Sequence, residues 1–224
     1  MADQPKQVPT DEFRSIDDVT KSDWRQTLFV TIDHAQGCVR PRTILDHHSA
    51  PAECALSDSV PEDIRAQWDT ARNLWLYAWH VWRFYPVAER QAYSTLELVL
   101  RRKMGLEGTK NYGLSRLMNE AIANGLLKDS AIEHHRHLME ARREQFELDE
   151  QRAIELGWPM PDPLPVPGPQ DYCRILAETF PKFRNMYSHG STSLHWTVGF
   201  TFTVCRDLID QLFAPAPPTS GVQA

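Results

Sequence analysis

Leu114-Ser115-Arg116-Leu117-Met118-Asn119-Glu120-Ala121-Ile122-Ala123-Asn124-Gly125-Leu126 is the stretch on which the fold turns. Its residues Leu114, Leu117, Met118, Ala121, Ile122, Gly125 and Leu126 recur at steps of three and four, while Arg116 and Glu120 fall on the opposite side. A 3.6-residue period gathers such positions on one face, so the spacing predicts an amphipathic helix. Gly125, read as part of the stripe, leaves room for a neighbour to approach.

Working upstream, Tyr93, Leu96, Leu100 and Met104 make a second stripe with Gly105 as its stop. Before that, Ile64, Trp68, Ala71, Trp75, Ala78, Trp79 and Trp82 share one helix face. Ser59-Val60-Pro61-Glu62 reads as the capping box that opens this helix, and Pro86 as the residue that bends or ends it. The three tryptophans Trp75, Trp79 and Trp82 read as core or subunit interface rather than a base-stacking platform.

Downstream, residues 130–156 are dense in Glu and Arg and predict a largely solvated helix. Six prolines between Gly157 and Pro169 make residues 157–170 an extended linker. Asp171 reads as the N-cap of a helix facing inward with Cys173, Leu176, Ala177, Phe180 and Phe183, which Pro181 kinks or divides. The run Thr197–Val204 suits helix and strand alike, and Phe213 closes the last apolar segment.

These segments predict an all-α domain, an up-and-down bundle of five or six helices over residues 59–213. Residues 1–58 form an N-terminal extension: a polar tail over 1–22, disordered or loosely attached, a short strand or hairpin at Leu28–Ile32, and a polar stretch from His47-His48 to Asp58. The proline-rich tail 214–224 reads as disordered.

Length and composition narrow the function. The 224 residues hold 42% hydrophobic and 24% charged residues, as a globular domain does, and no apolar run approaches the roughly 20 residues of a membrane span. MADQPKQVPTDEF has no apolar leader region, so the expected compartment is the cytoplasm. The net charge of −6 argues against sequence-blind binding to nucleic acid but leaves room for a local basic site. Cys38, Cys54, Cys173 and Cys205 form no C-x-x-C pair and read as free thiols.

The chemistry-bearing stretch is Arg184-Asn185-Met186-Tyr187-Ser188-His189-Gly190. If the helix ends between Arg184 and His189, the two side chains converge on one cleft. An arginine there stabilises charge developing on a phosphate, and a histidine near its ordinary pKa takes or gives a proton at neutral pH. Asn185 holds the phosphate or orients the imidazole, and Tyr187 and Ser188 are candidate substrate contacts. RNA cleavage by the adjacent 2′-hydroxyl needs these parts, with no metal and no cofactor. The plain alternative is a pair of side chains capping the end of a helix.

Spacing alone carries little, because Arg42 and His47 repeat it in the polar N-terminal region. The fuller pattern, with Asn185 and Gly190 between two helical segments, resembles the HEPN superfamily, whose hallmark is Arg-polar-x-x-x-His in a helical bundle. The resemblance spans the helical layout of residues 59–213, with specific residues matched only at this motif. It implies a homodimer that sets two motifs face to face as one ribonuclease cleft, with His189 as general acid or base, Arg184 as phosphate clamp and Asn185 as polar support. It also implies an alternative, since many relatives are non-catalytic modules that bind RNA, a nucleotide or a partner protein. A purely structural helical dimer is the third reading. Glu133-His134-His135-Arg136-His137 is a weaker candidate, a surface metal site at Glu133 and His137 or, more simply, a solvated helix face.

Overall fold

The computed structural model describes residues 12–33, 35–109, 112–188 and 198–215. Among them are seven α-helices and one short antiparallel hairpin, so the mostly helical architecture expected from periodicity is the one observed. No helix of the described residues is long and apolar enough to cross a membrane.

Helices α2 (Glu62–Tyr77), α3 (Phe84–Lys103), α6 (Asp171–Ser188) and α7 (Val198–Phe213) surround the main core, and α4 (Leu114–Ala123) closes it against α6 and α3. Trp68, Tyr93, Phe180 and Phe202 are its largest fully buried side chains. Phe202 lies between Trp68 and Trp75, with ring centroids 5.0 and 4.8 Å away. Each such side chain contributes roughly 1.5–3 kcal/mol by leaving water. Thr197–Val204, ambiguous by propensity, is helical from Val198 onward. Phe202, Cys205 and Ile209 then face the core together, and this packing overrides the β preference of the run.

Several local expectations are corrected. Helix α2 begins after Pro61, with no side-chain cap; the Ser59 hydroxyl is hydrogen-bonded to Ser57 instead. The helix ends at Tyr77, so the tryptophans divide: Trp75 lies on α2, while Trp79 and Trp82 lie in the turn before α3. Pro86 is the third residue of α3 and starts that helix rather than breaking one, because first-turn amides need no intrahelical acceptor. Gly125 follows the end of α4 at φ 68°, and Leu126 N–H reaches back 2.9 Å to Ala121 O. Its role is a left-handed stop rather than a close approach, since a Cβ there would meet nothing within 4 Å. Leu126, past that stop, is exposed. Phe183 is exposed as well, and α6 runs unbroken through Pro181.

The N-terminal region departs furthest from its reading. Residues 44–53 form α1 (Ile44–Glu53) with a capping box between Thr43 and Asp46, in place of the expected polar stretch. Strands β1 (Val30–Asp33) and β2 (Cys38–Pro41) precede it, with Val30 opposite Pro41 and Ile32 opposite Val39. Arg40 ties the hairpin to α1 through both oxygens of Asp46, at 2.6 and 2.7 Å. Farther back, Arg14 donates to the carbonyl of His80, and Asp23 N–H to Trp79 O at 2.9 Å, so the segment from residue 12 onward is fastened to the α2–α3 corner.

Helix α5 (Glu133–Leu156) is solvated as expected: Ala153 is its one buried residue, and Gly157 ends it at φ 66°. The exception is its first turns. His135 stacks on Tyr172 at 4.8 Å, and His134 meets Phe200 edge-on at 5.0 Å, so both imidazoles are half-buried rather than free in solvent. Two buried carboxylates on other elements cap helix starts. Asp129, in the short 3₁₀ turn Asp129–Ala131, accepts from the amides of Tyr172 and Cys173 at the start of α6, at 2.9 and 2.8 Å. Asp207 on α7 accepts from Glu133 N–H at 2.8 Å. Asp171 is therefore the first helical residue rather than the cap.

Candidate functional site

Arg184, Asn185, Tyr187 and Ser188 all lie in the last turns of α6, which is helical as far as Ser188. The break expected between Arg184 and His189 is thus absent up to Ser188. His189 and Gly190 lie outside the described residues.

What α6 does with these residues follows from its two faces. Its inward positions Cys173, Leu176, Ala177 and Phe180 are buried, which turns Asn185 to solvent and leaves Arg184 at the boundary. The Arg184 side chain is 37% exposed, and its Nη2 stands 3.2 Å from Oε2 of Glu97 on α3. Nη1 donates to Oδ1 of Asn185 at 3.3 Å. The guanidinium therefore engages side-chain oxygens rather than capping its own helix carbonyls. Asn185 holds the arginine through this contact.

Glu97 is 14% exposed and serves two arginines. Its Oε1 accepts from Nη2 and Nε of Arg101, one turn later on α3, at 2.9 and 3.3 Å. Arg101 in turn donates Nη1 to Thr109 O at 2.8 Å and Nη2 to Tyr112 O, both in the loop between α3 and α4. Two guanidiniums share one carboxylate, so the cluster keeps a net positive charge. Coulomb attraction at this depth is several times stronger than in bulk water.

Tyr187 is buried in the hydrophobic core, and the Ser188 hydroxyl donates to Arg184 O at 2.8 Å. Deeper in the bundle, Thr201 donates to the buried carboxylate of Glu89 at 3.0 Å, and Tyr93 OH lies 3.2 Å from the same Thr201 oxygen. Burial pushes the Tyr93 phenol and the Cys205 thiol well above their ordinary values, so neither ionises near neutrality.

Other sequence candidates fare differently. In Glu133-His134-His135-Arg136-His137, the Glu133 carboxylate pairs with Arg206 at 2.7 Å. Among the described residues, no group of three or more His, Cys, Asp or Glu side chains is placed to hold a metal ion. Cys54, Cys173 and Cys205 are buried thiols, and Cys38 is an exposed one. Surface cavities lie along the α1–α2 groove, lined by His48, Asp69 and Arg72, and between α5 and the proline-rich segment, lined by Met139 and Leu164.

In the sequence Glu97 is a lone acid on the helix after Pro86, of a kind that either points at a cleft or simply lies exposed. Its four-residue spacing from Arg101 signals an ion pair on one helix face, but the link to Arg184 has no local signature. Compared with family models, with curated proteins and with solved structures, the chain matches none.

Proposed function

We propose that this chain is a HEPN-like, metal-independent endoribonuclease that works as a homodimer. The observation that carries the reading is the half-exposed Arg184 guanidinium at the end of α6. It is steered by Glu97 and Asn185 within a net positive cluster, rather than spent on its own helix end. In this reading Arg184 clamps the scissile phosphate, and Asn185 keeps the guanidinium plane in place. His189 moves the proton: a histidine at the site takes it from the 2′-hydroxyl as that oxygen attacks phosphorus. The bond to the 5′-oxygen breaks, that oxygen is protonated, and the products carry a 2′,3′-cyclic phosphate and a 5′-hydroxyl. A second copy of the chain supplies the facing motif, which completes both phosphate clamping and proton delivery. The setting is the cytoplasm, in a defence, stress or toxin system.

The test is incubation of single-stranded RNA with the wild type and with His189→Ala in EDTA. Cleavage by the wild type alone, leaving cyclic phosphate ends, is the expected result. No cleavage of any RNA sinks the proposal. One observation favours a second reading, a non-catalytic module that binds RNA or a partner: Glu97 offsets part of the charge of Arg184. Retention of labelled RNA without cleavage selects it.

A further inference from the structure

Glu97 is an acid placed where an RNA-cleaving site would ordinarily exclude one, and its geometry gives the reason. An unrestrained arginine side chain samples many rotamers, and ordering it at each encounter costs about 2 kcal/mol of conformational entropy. Here one nitrogen of Arg184 is held by Glu97 Oε2 at 3.2 Å and another by Asn185 Oδ1 at 3.3 Å. A guanidinium has five N–H donors, so donors remain for a ligand on its exposed side.

Glu97 is fixed as well. Its other oxygen is taken by Arg101, which also donates to the carbonyls of Thr109 and Tyr112. One helical turn before the Glu97–Arg184 contact, Tyr93 on α3 packs edge-on against Phe180 on α6, with centroids 5.0 Å apart. Equal steps of four residues on both helices show that α3 and α6 run in the same direction here. The rigid aromatic contact therefore sets the spacing at which the ion pair forms.

We propose that Glu97 is the positioning residue of the Arg184 site, holding the guanidinium in its ligand-ready orientation, and that Arg101 couples that orientation to the α3–α4 loop. This rests on the ribonuclease reading for its catalytic consequence, but not for its physical content. Glu97 acts through Arg184 and touches no substrate. A disturbance of the loop at Thr109 or Tyr112 reaches the site by releasing Arg101, then Glu97, then Arg184.

Two measurements test it. The first is the order of the Arg184 Nε–H group by ¹⁵N relaxation in the wild type, in Glu97→Gln and in Asp69→Asn. Asp69 pairs with Arg72 on α2, so its variant removes a surface ion pair away from both the site and the α3–α4 loop. Arg184 is expected to be ordered in the wild type and in Asp69→Asn, and mobile in Glu97→Gln. A mobile Arg184 in the wild type overturns the proposal. The second is single-turnover RNA cleavage by Glu97→Gln, Arg184→Ala and the double variant, with the Tm of each recorded. A misplaced clamp is expected to lower the rate at saturating enzyme about 10- to 100-fold, with little change in the enzyme concentration that gives half that rate. Glu97→Gln is expected to add nothing once Arg184 is gone. Multiplicative effects of the two substitutions also overturn the proposal. An ordered, Glu97-dependent Arg184 in a protein that cleaves no RNA leaves the tether standing and removes the ribonuclease reading alone.

Discussion

The chain carries two arginines each followed by a histidine at the same spacing, and the fold treats the two regions in opposite ways. On α1, His47 is fully buried, its Nε2 donates to Trp75 O at 3.0 Å, and its ring lies 5.5 Å from Trp79 and 6.1 Å from Tyr85. It is a core residue that fastens the N-terminal region to α2. At the end of α6, Arg184 faces outward and is held by a carboxylate from another helix. The difference teaches that spacing names a pair, while burial and partners decide its use. A buried neutral imidazole serves packing, and a half-exposed guanidinium with spare donors is open to an anion.

The sharpest way to break this contrast is to exchange the effects of substitution. Arg184→Ala is expected to lower RNA cleavage by about 100-fold or more while Tm stays close to the wild type, because it removes charge stabilisation at the phosphate. Arg42→Ala, at the other pair, is expected to leave cleavage unchanged. Equal losses from both, measured as single-turnover rates, would erase the distinction between the regions.

A second prediction concerns pH. Burial is the main cause that lowers the His47 pKa to about 4, with Arg42 and His48 adding to it and the hydrogen bond to Trp75 opposing it. The unfolded chain titrates this group near 6.5, so on acidification the unfolded state binds the proton first. The stability contributed by neutral His47 is present in full above pH 6.5 and is lost as pH falls toward 4. The loss is on the order of 3 kcal/mol, because each tenfold difference in proton affinity between folded and unfolded chain is worth about 1.4 kcal/mol. Urea unfolding across that window should show this slope in the wild type and a flatter one in His47→Gln. Parallel slopes would show that His47 is not the group responsible.

A third, smaller effect is expected at the other end of α6. Asp129→Ala removes the carboxylate that receives two helix-start amides and is expected to cost about 1–2 kcal/mol in denaturant melts. Smallest of all, Arg143→Ala on the solvated face of α5 is expected to change stability by less than about 0.5 kcal/mol. A large effect there would mean that α5 is covered in the working assembly.

The helices after residue 58 were legible because their apolar residues repeat with the helical period, and α3, α4 and α5 are followed by the glycines Gly105, Gly125 and Gly157. The α4 stripe, the Gly105 stop and the solvated character of α5 could all be seen in the chain itself. Helix α1 was missed because His47 and Pro51, which read as polar or breaking residues, are the ones it buries. The Ser59 capping box failed because Pro61 occupies the cap position. At the candidate site, Arg184 and Asn185 were readable as a motif. The buried placement of Tyr187 and the Arg184–Asn185 contact depend on how α6 is rotated against α3.

By itself, then, the sequence determined roughly where the helices after residue 58 run, which face of most of them is apolar, and which stretch carries an arginine, an amide and a histidine together. Those properties depend on neighbours along the chain, within a turn or two. Tertiary structure alone decided that Glu97 meets Arg184, that Arg101 connects both to the α3–α4 loop, and that Asp129 and Asp207 cap helices other than their own. Apart from the contacts of Arg101, which stay within its own helix and the loop after it, each of these joins groups far apart in the chain. A carboxylate finds its partner there only once helix packing has removed both from most of the water and set the distance between them.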